Sequence, residues 1–180
     1  MGRQKRSSLD SLKGISVADS FDYQILNLTD AFYSDYPDPP YSEILTKGSR
    51  PYSCLLLQSH YDYFICIPYR SHITHKYAFF FRTSRRSNKS KSGLDYSKIS
   101  IIKKLEYLTS KDAVIDADEY TETRLFIKKI EKDAIAYVDD YVNHISGKEC
   151  LTEKEFERRY GYSTLKYFHK ELGLGQCSNY

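Results

Sequence analysis

The sequence has no tryptophan and a single methionine, and its eight glycines and five prolines in 180 residues are too few for a collagen-like or low-complexity chain. No run approaches the about 18 apolar residues that a membrane-spanning helix needs, which excludes an integral helical membrane protein. The opening MGRQKRSSLDSLK is polar and basic with no apolar stretch behind it, so no secretory signal is expected. Arg6 stands where N-myristoylation requires Ser or Thr. A cytoplasmic protein without a membrane partner is the expectation. The four cysteines (Cys54, Cys66, Cys150 and Cys177) form no C-x-x-C pair, which argues against a zinc ribbon and against a disulfide framework. Walker loops, G-x-G-x-x-G, G-x-S-x-G and H-E-x-x-H are all missing, which removes the common nucleotide-binding, hydrolase and protease classes.

What is present is a core and an uneven charge. With 41% hydrophobic and 28% charged residues the chain can bury a core and remain soluble, and its length suits one domain. The net charge of +3 conceals a segregation. Residues 47–104 hold 12 Lys and Arg against only Asp62 and Asp95, while the flanking segments are both net acidic. A basic middle third between acidic ends is the sequence footprint of a polyanion-binding face. The plainer alternative is a basic strand-and-loop region that pairs with an acidic helix. Eighteen tyrosines and nine phenylalanines suit either base stacking or ordinary core filling.

Residues 1–21 lack periodicity and read as a flexible basic leader, leaving 22–180 as a single domain. Residues 21–28 read as a short strand and 30–36 as a helical turn that Asp38-Pro39-Pro40 breaks. Residues 52–58 and 63–68 are apolar runs separated by Ser-His-Tyr-Asp, a hairpin by spacing, with Cys54 and Cys66 as small core residues. Residues 77–83 are aromatic and extended, 82–92 (RTSRRSNKSKS) a mobile basic loop ended by Gly93, and 98–102 a short strand. From about residue 118 the period changes. Ile127, Ile130, Ala134, Tyr137 and Tyr141 recur at three and four residue steps, giving an amphipathic helix that Gly147 stops. Thr152 and Glu155 make a capping box for a second helix. Ser163 caps a third, with Leu165, Phe168 and Leu172 facing the core before Gly173. Strands first and helices last predict an α+β fold, a curved antiparallel sheet with C-terminal helices packed on one side.

The densest polar cluster is Arg70-Ser71-His72-Ile73-Thr74-His75-Lys76, at the end of a buried strand. Two histidines, two hydroxyls and two cations suit phosphodiester chemistry. The ribose 2′-OH of RNA can attack its own phosphate, so the protein has only to supply a base, an acid and cations for the developing charge. His72-x-x-His75 lacks an evident third ligand, so no metal or other cofactor is expected. His60, His144 and His169 carry no specific signal.

Three ordered motifs carry a family resemblance. The chain resembles the toxins of type III toxin–antitoxin systems, the ToxN/AbiQ superfamily, and within it the TenpIN and CptIN branch. That branch carries I-P-L-R-S-N-I-x-H-K at the end of an apolar hairpin; here stands Ile67-Pro68-Tyr69-Arg70-Ser71-His72-Ile73-Thr74-His75-Lys76. Its Gly-Leu-Asp-Phe-Ser-Lys matches Gly93-Leu94-Asp95-Tyr96-Ser97-Lys98. Its F-S-T-L-x-x-Y-H-x-E-L-G matches residues 162–173, in register except at Tyr167-Phe168. His72 replaces the usual Asn and Tyr69 the usual Leu, and the leader has no counterpart.

The resemblance implies a MazF/Kid-like twisted sheet and a metal-independent endoribonuclease that leaves a 2′,3′-cyclic phosphate. It implies a pseudoknotted, repetitive RNA antitoxin as inhibitory partner in a protein–RNA hetero-oligomer, and cellular or phage RNA as substrate, a phage-defence role. A family lysine or arginine before the first hairpin strand corresponds to Lys47 or Arg50, and Tyr33 resembles an active-site aromatic. Arg70 and Ser71 are expected to grip the phosphate, His75 to act as acid or base, and Lys47 to lower the barrier or assist the 2′-OH. Arg50, His72, Lys76, Arg82, Arg85, Arg86, Lys89, Lys91 and Lys98 are expected to hold RNA. A non-catalytic RNA-binding protein using the same 47–104 face is the alternative, and a protein-interaction module using the acidic helix is a third.

Overall fold

The computed structural model describes residues 23–46, 52–59 and 61–175. The leader, Lys47, Arg50 and His60 therefore lie outside the described residues. The apolar runs become strands β1 (Tyr23–Asn27), β2 (Ser53–Gln58), β3 (Phe64–Arg70), β4 (Ala78–Phe80), β5 (Gly93–Asp95) and β6 (Ser100–Ile102). They form one antiparallel sheet in the order β1-β2-β3-β5-β4, with β6 also paired to β3. Among the described residues three α-helices accompany it: α1 (Asp30–Asp35), α2 (Ala117–Ile145) and α3 (Glu153–Tyr160). Among the described residues no helix is long and apolar enough to cross a membrane.

The central strand β3 is buried along its length except at Arg70. One of its edges carries a continuous ladder to β2, from Cys54↔Pro68 to Gln58↔Phe64. The other edge is shared, with β6 opposite Phe64, Ile65 and Cys66 and β5 opposite Tyr69 and Arg70. Between β5 and β6 the chain leaves the ladder for a 3-10 turn, Tyr96–Lys98. Pro68, which has no N–H to give, falls at that interruption. Beyond the basic loop that Gly93 ends, Gly93–Asp95 forms a strand, because Gly93 lets β4 approach closely. A Cβ there would lie 1.9 Å from the carbonyl oxygen of Phe79.

The pleat puts Cys54, Cys66, Pro68 and Arg70 on one sheet face and Leu55, Ile65, Ile67 and Tyr69 on the other. Helix α2 covers the second face, where the Tyr69 hydroxyl lies 3.0 Å from Oγ1 of Thr123. Helix α1 covers the first: Phe32 is fully buried, Cys54 and Cys66 are buried, and Tyr33 bonds to the Tyr52 backbone at the head of β2. The sheet is thus covered on both faces rather than one. Cys54 and Cys66 are both buried core residues, as their patterning predicts.

In α2 the apolar stripe Ile127, Ile130, Ala134, Tyr137 and Tyr141 is buried, and Gly147 follows the helix in the left-handed region at φ 71°. Both bonds of the Thr152–Glu155 capping box are present at α3. The expected third helix is only a 3-10 turn, Thr164–Tyr167, capped by Ser163. The Thr164 hydroxyl is drawn to the carbonyls of Ile99 and Ser97, which holds the segment against the sheet edge. With three residues per turn, Leu165 and Phe168 still face the core together, both fully buried.

Candidate active site

Arg70 pairs with Gly93 across the β3–β5 ladder, and Asp95 lies two residues further along β5 on the same face. Gly93 has no side chain, so Arg70 can lean diagonally to Asp95, with Nη1 2.7 Å from Oδ2. The Asp95 side chain is completely buried. Its Oδ1 accepts from the Ser97 N–H at 3.0 Å and from the Ser97 hydroxyl at 2.7 Å, and Nε2 of His75 lies 3.2 Å away. Burial alone would raise the Asp95 pKa, but hydrogen bonds from His75, Ser97 and Arg70 outweigh it and hold the carboxyl below its usual value. Ser97 in turn lies under Thr164, whose hydroxyl bonds to its carbonyl at 3.3 Å. The three sequence motifs therefore meet around one buried carboxylate.

His75 is held at both ring nitrogens. Nδ1 accepts from the Tyr77 backbone N–H at 3.2 Å, and Nε2 faces Asp95 and the Ser97 hydroxyl, the latter at 3.1 Å. The Tyr77 ring stacks on the imidazole at a centroid distance of 6.1 Å, and the Arg159 guanidinium lies 5.9 Å from the Tyr77 ring centre.

The segment between Arg70 and His75 forms the rim. Ser71 is half-buried, and its hydroxyl has no hydrogen bond among the described residues. His72 is exposed with a left-handed backbone, φ 59°, a region where Asn and His are enriched among non-glycine residues. Ile73 anchors the turn by burying its side chain and donating its N–H to the Lys91 carbonyl at 3.0 Å. Lys76 is exposed, 5.6 Å above the Tyr77 ring.

The basic loop is tied down rather than free. Glu122 of α2 accepts the Arg82 N–H at 2.9 Å and both the N–H and hydroxyl of Thr83, at 2.7 and 2.6 Å. These bonds outweigh burial and lower the Glu122 pKa. Asp118 accepts the Arg85 N–H at 3.0 Å. Arg86 alone of the loop cations pairs with the helix through its side chain, at 3.4 Å from Asp116 and 3.5 Å from Glu119. The pairing alternative is thus realised mainly through backbone amides. Arg82, Arg85, Lys89 and Lys91 point exposed side chains outward with no acidic partner among the described residues.

One expectation changes in place. Lys98, expected to hold RNA, is spent inside the fold: its ammonium lies 2.5 Å from Glu43 and 2.8 Å from the Tyr162 carbonyl, with a side chain only 10% exposed. Tyr33 lies on the Arg70 face beside the Tyr52 backbone, where burial raises its pKa. By the β2–β3 register Tyr52 stands beside Arg70, so both occupy one end of the sheet. Asp95 and Ser97 are the site residues that motif reading passed over. The available signal was charge: Asp95 is one of two acids among twelve cations in residues 47–104, and an acid so isolated is a natural pairing hub. Among family models, curated proteins and solved structures, none matches this chain.

Proposed function

We propose that this protein is a metal-independent endoribonuclease toxin of the type III class, acting in the cytoplasm and restrained by a repetitive RNA antitoxin. The observation that carries the reading is Arg70: one guanidinium nitrogen is tethered to the buried Asp95, the side chain is 29% exposed, and the unbonded Ser71 hydroxyl stands next to it. A guanidinium has five N–H donors, so a tethered one still offers a fork to a phosphate. In the reaction the 2′ oxygen bonds to phosphorus and the P–O5′ bond breaks. One proton leaves the 2′ hydroxyl and one reaches the 5′ oxygen, leaving a 2′,3′-cyclic phosphate and a 5′-hydroxyl. Arg70 and Ser71 stabilise the extra charge on the phosphoryl oxygens, and Lys47 assists the 2′-OH. Arg82, Arg85, Lys89 and Lys91 hold the RNA backbone, both of substrate and of a pseudoknotted antitoxin in a protein–RNA assembly. This reading accords with the α+β antiparallel sheet; the closer likeness to MazF/Kid toxins is part of the proposal.

A second reading, an RNA-binding protein without catalysis, is favoured by one observation: both nitrogens of His75 are bonded inside the fold. Incubation with RNA in excess EDTA separates the two. The endoribonuclease reading expects fragments ending in a cyclic phosphate and a 5′-hydroxyl, and no cleavage when the nucleotide 5′ of the cut is 2′-deoxy. Salt-dependent binding with intact RNA would establish the second reading instead. In cells, expression without the antitoxin should arrest growth, and Ser71→Ala should relieve the arrest while the protein stays folded.

A further inference from the structure

We infer that Asp95 is the positioning residue of this site, and that His75 serves it as a strut instead of moving protons. The inference rests on the endoribonuclease reading and deepens it, because it takes the most prominent histidine out of the chemical step.

Every bond that Asp95 accepts from another side chain comes from a motif residue: Arg70 on Oδ2, His75 and Ser97 on Oδ1. A carboxylate with no exposed surface holds its donors firmly, because releasing any of them leaves a buried charge under-bonded. Arg70 and His75 are equally exposed, at 29%, but Arg70 is the donor that keeps N–H groups outside the network, which fixes the direction in which they point.

The hydrogen-bond directions settle what His75 can do. A backbone N–H only donates, so the Tyr77 N–H requires a lone pair on Nδ1 of His75. The neutral ring then carries its proton on Nε2, facing Asp95. The Ser97 hydroxyl gives its own proton to Asp95, so its oxygen is free to accept from the same Nε2–H. As a base, the ring would have to surrender the Tyr77 N–H; as an acid, it would have to release Asp95. Either step dismantles the support of Arg70 at the moment when charge develops on the phosphate.

The test compares the full-length parent, His75→Gln, His75→Ala and Asp95→Asn in single-turnover RNA cleavage, with melting temperature and RNA affinity measured alongside. Glutamine carries an amide N–H near the position of the imidazole Nε2 and takes up no proton at neutral pH. His75→Gln should therefore restore most of the rate that His75→Ala loses, staying within about tenfold of the parent against a loss of about 100-fold or more for a proton-transfer group. Asp95→Asn should lower the cleavage rate much more than RNA affinity, because the loop cations bind without it. A His75→Gln protein that melts like the parent but is as inactive as His75→Ala overturns the inference and leaves the ribonuclease reading standing. A parent that cleaves no RNA overturns that reading and the inference with it. Ring-nitrogen NMR of the parent bound to 2′-deoxy RNA is independent of how the variants fold. An Nε2-protonated, Nδ1-accepting ring is expected, and a ring that has handed Nδ1 to the RNA refutes the strut.

Discussion

Arg70 and Asp95 are diagonal neighbours on one face of the β3–β5 ladder, 25 residues apart in sequence and joined at 2.7 Å between Nη1 and Oδ2. The bond depends on the glycine between them in space. A side chain at Gly93 would collide with the Phe79 carbonyl and push β4 away from β5. The pair therefore couples sheet stability to the presentation of the guanidinium.

Asp95→Asn should destabilise the protein by roughly 3 kcal/mol, since it leaves Arg70 and the Nε2–H of His75 facing an amide that cannot satisfy both. Because the folded-state pKa of Asp95 is lowered, its contribution is present above the unfolded carboxylate value of about 3.9 and is lost as pH falls toward the folded value. Urea melts at pH 7 and at progressively lower pH should show the gap between parent and variant closing in acid. A gap that stays constant would mean the carboxylate charge is not what holds the site.

The loop divides into a structural cation and free ones. Replacing Arg82, Arg85 and Lys89 together by Ala should reduce the magnitude of the slope of log K against log salt for single-stranded RNA by about 2, at about 0.7 per lost phosphate contact. The melting temperature should hardly move, because Glu122 and Asp118 take the backbone N–H groups of Arg82, Thr83 and Arg85. Titration of labelled RNA at several salt concentrations reads the slope. An unchanged slope would place the RNA path elsewhere.

Glu119 is the opposite case to Asp95. Its side chain is 1% exposed, and neither carboxylate oxygen accepts a hydrogen bond among the described residues. Burial raises its pKa, and Asp116, Asp118 and Glu122 add to the rise against the pull of Arg86. A raised folded-state pKa favours the protonated form, so stability falls as pH climbs from the unfolded value of about 4.3 through the folded one. Glu119→Gln should accordingly melt higher than the parent at pH 7, with the difference vanishing near pH 4. A lower melting temperature at pH 7 would show that the Arg86 ion pair outweighs burial.

Much of the scaffold was legible from the chain alone. The period-two and apolar runs located β1, β2 and β3. The three-and-four spacing located α2, and Thr152 with Glu155 located the start of α3. These are local signals, set by backbone geometry and by which side of an element must be buried, so they survive without knowledge of the fold. Residues 93–95 carried no strand signal and 163–173 hold a 3-10 turn in place of the expected helix, because the state of both depends on neighbours: a short strand needs β3 and β4 beside it, and a helical pattern lost its length once Thr164 was bound to the sheet edge.

The sequence by itself determined the α+β order, the core stripe and the concentration of cations in residues 47–104, all properties of composition and spacing. Which of those cations face outward was decided only by tertiary structure. Lys98 and Arg86 belong to the basic segment as plainly as Lys89 does, yet Lys98 meets Glu43 from 55 residues away and Arg86 meets Asp116 from 30. The same holds for His75, whose place beside Asp95 depends on β4 folding back over β5. Charge and hydrogen-bonding capacity are written in the residue type. Whether they are spent internally or left for a ligand depends on distances of a few ångströms, and those come from the register of the sheet.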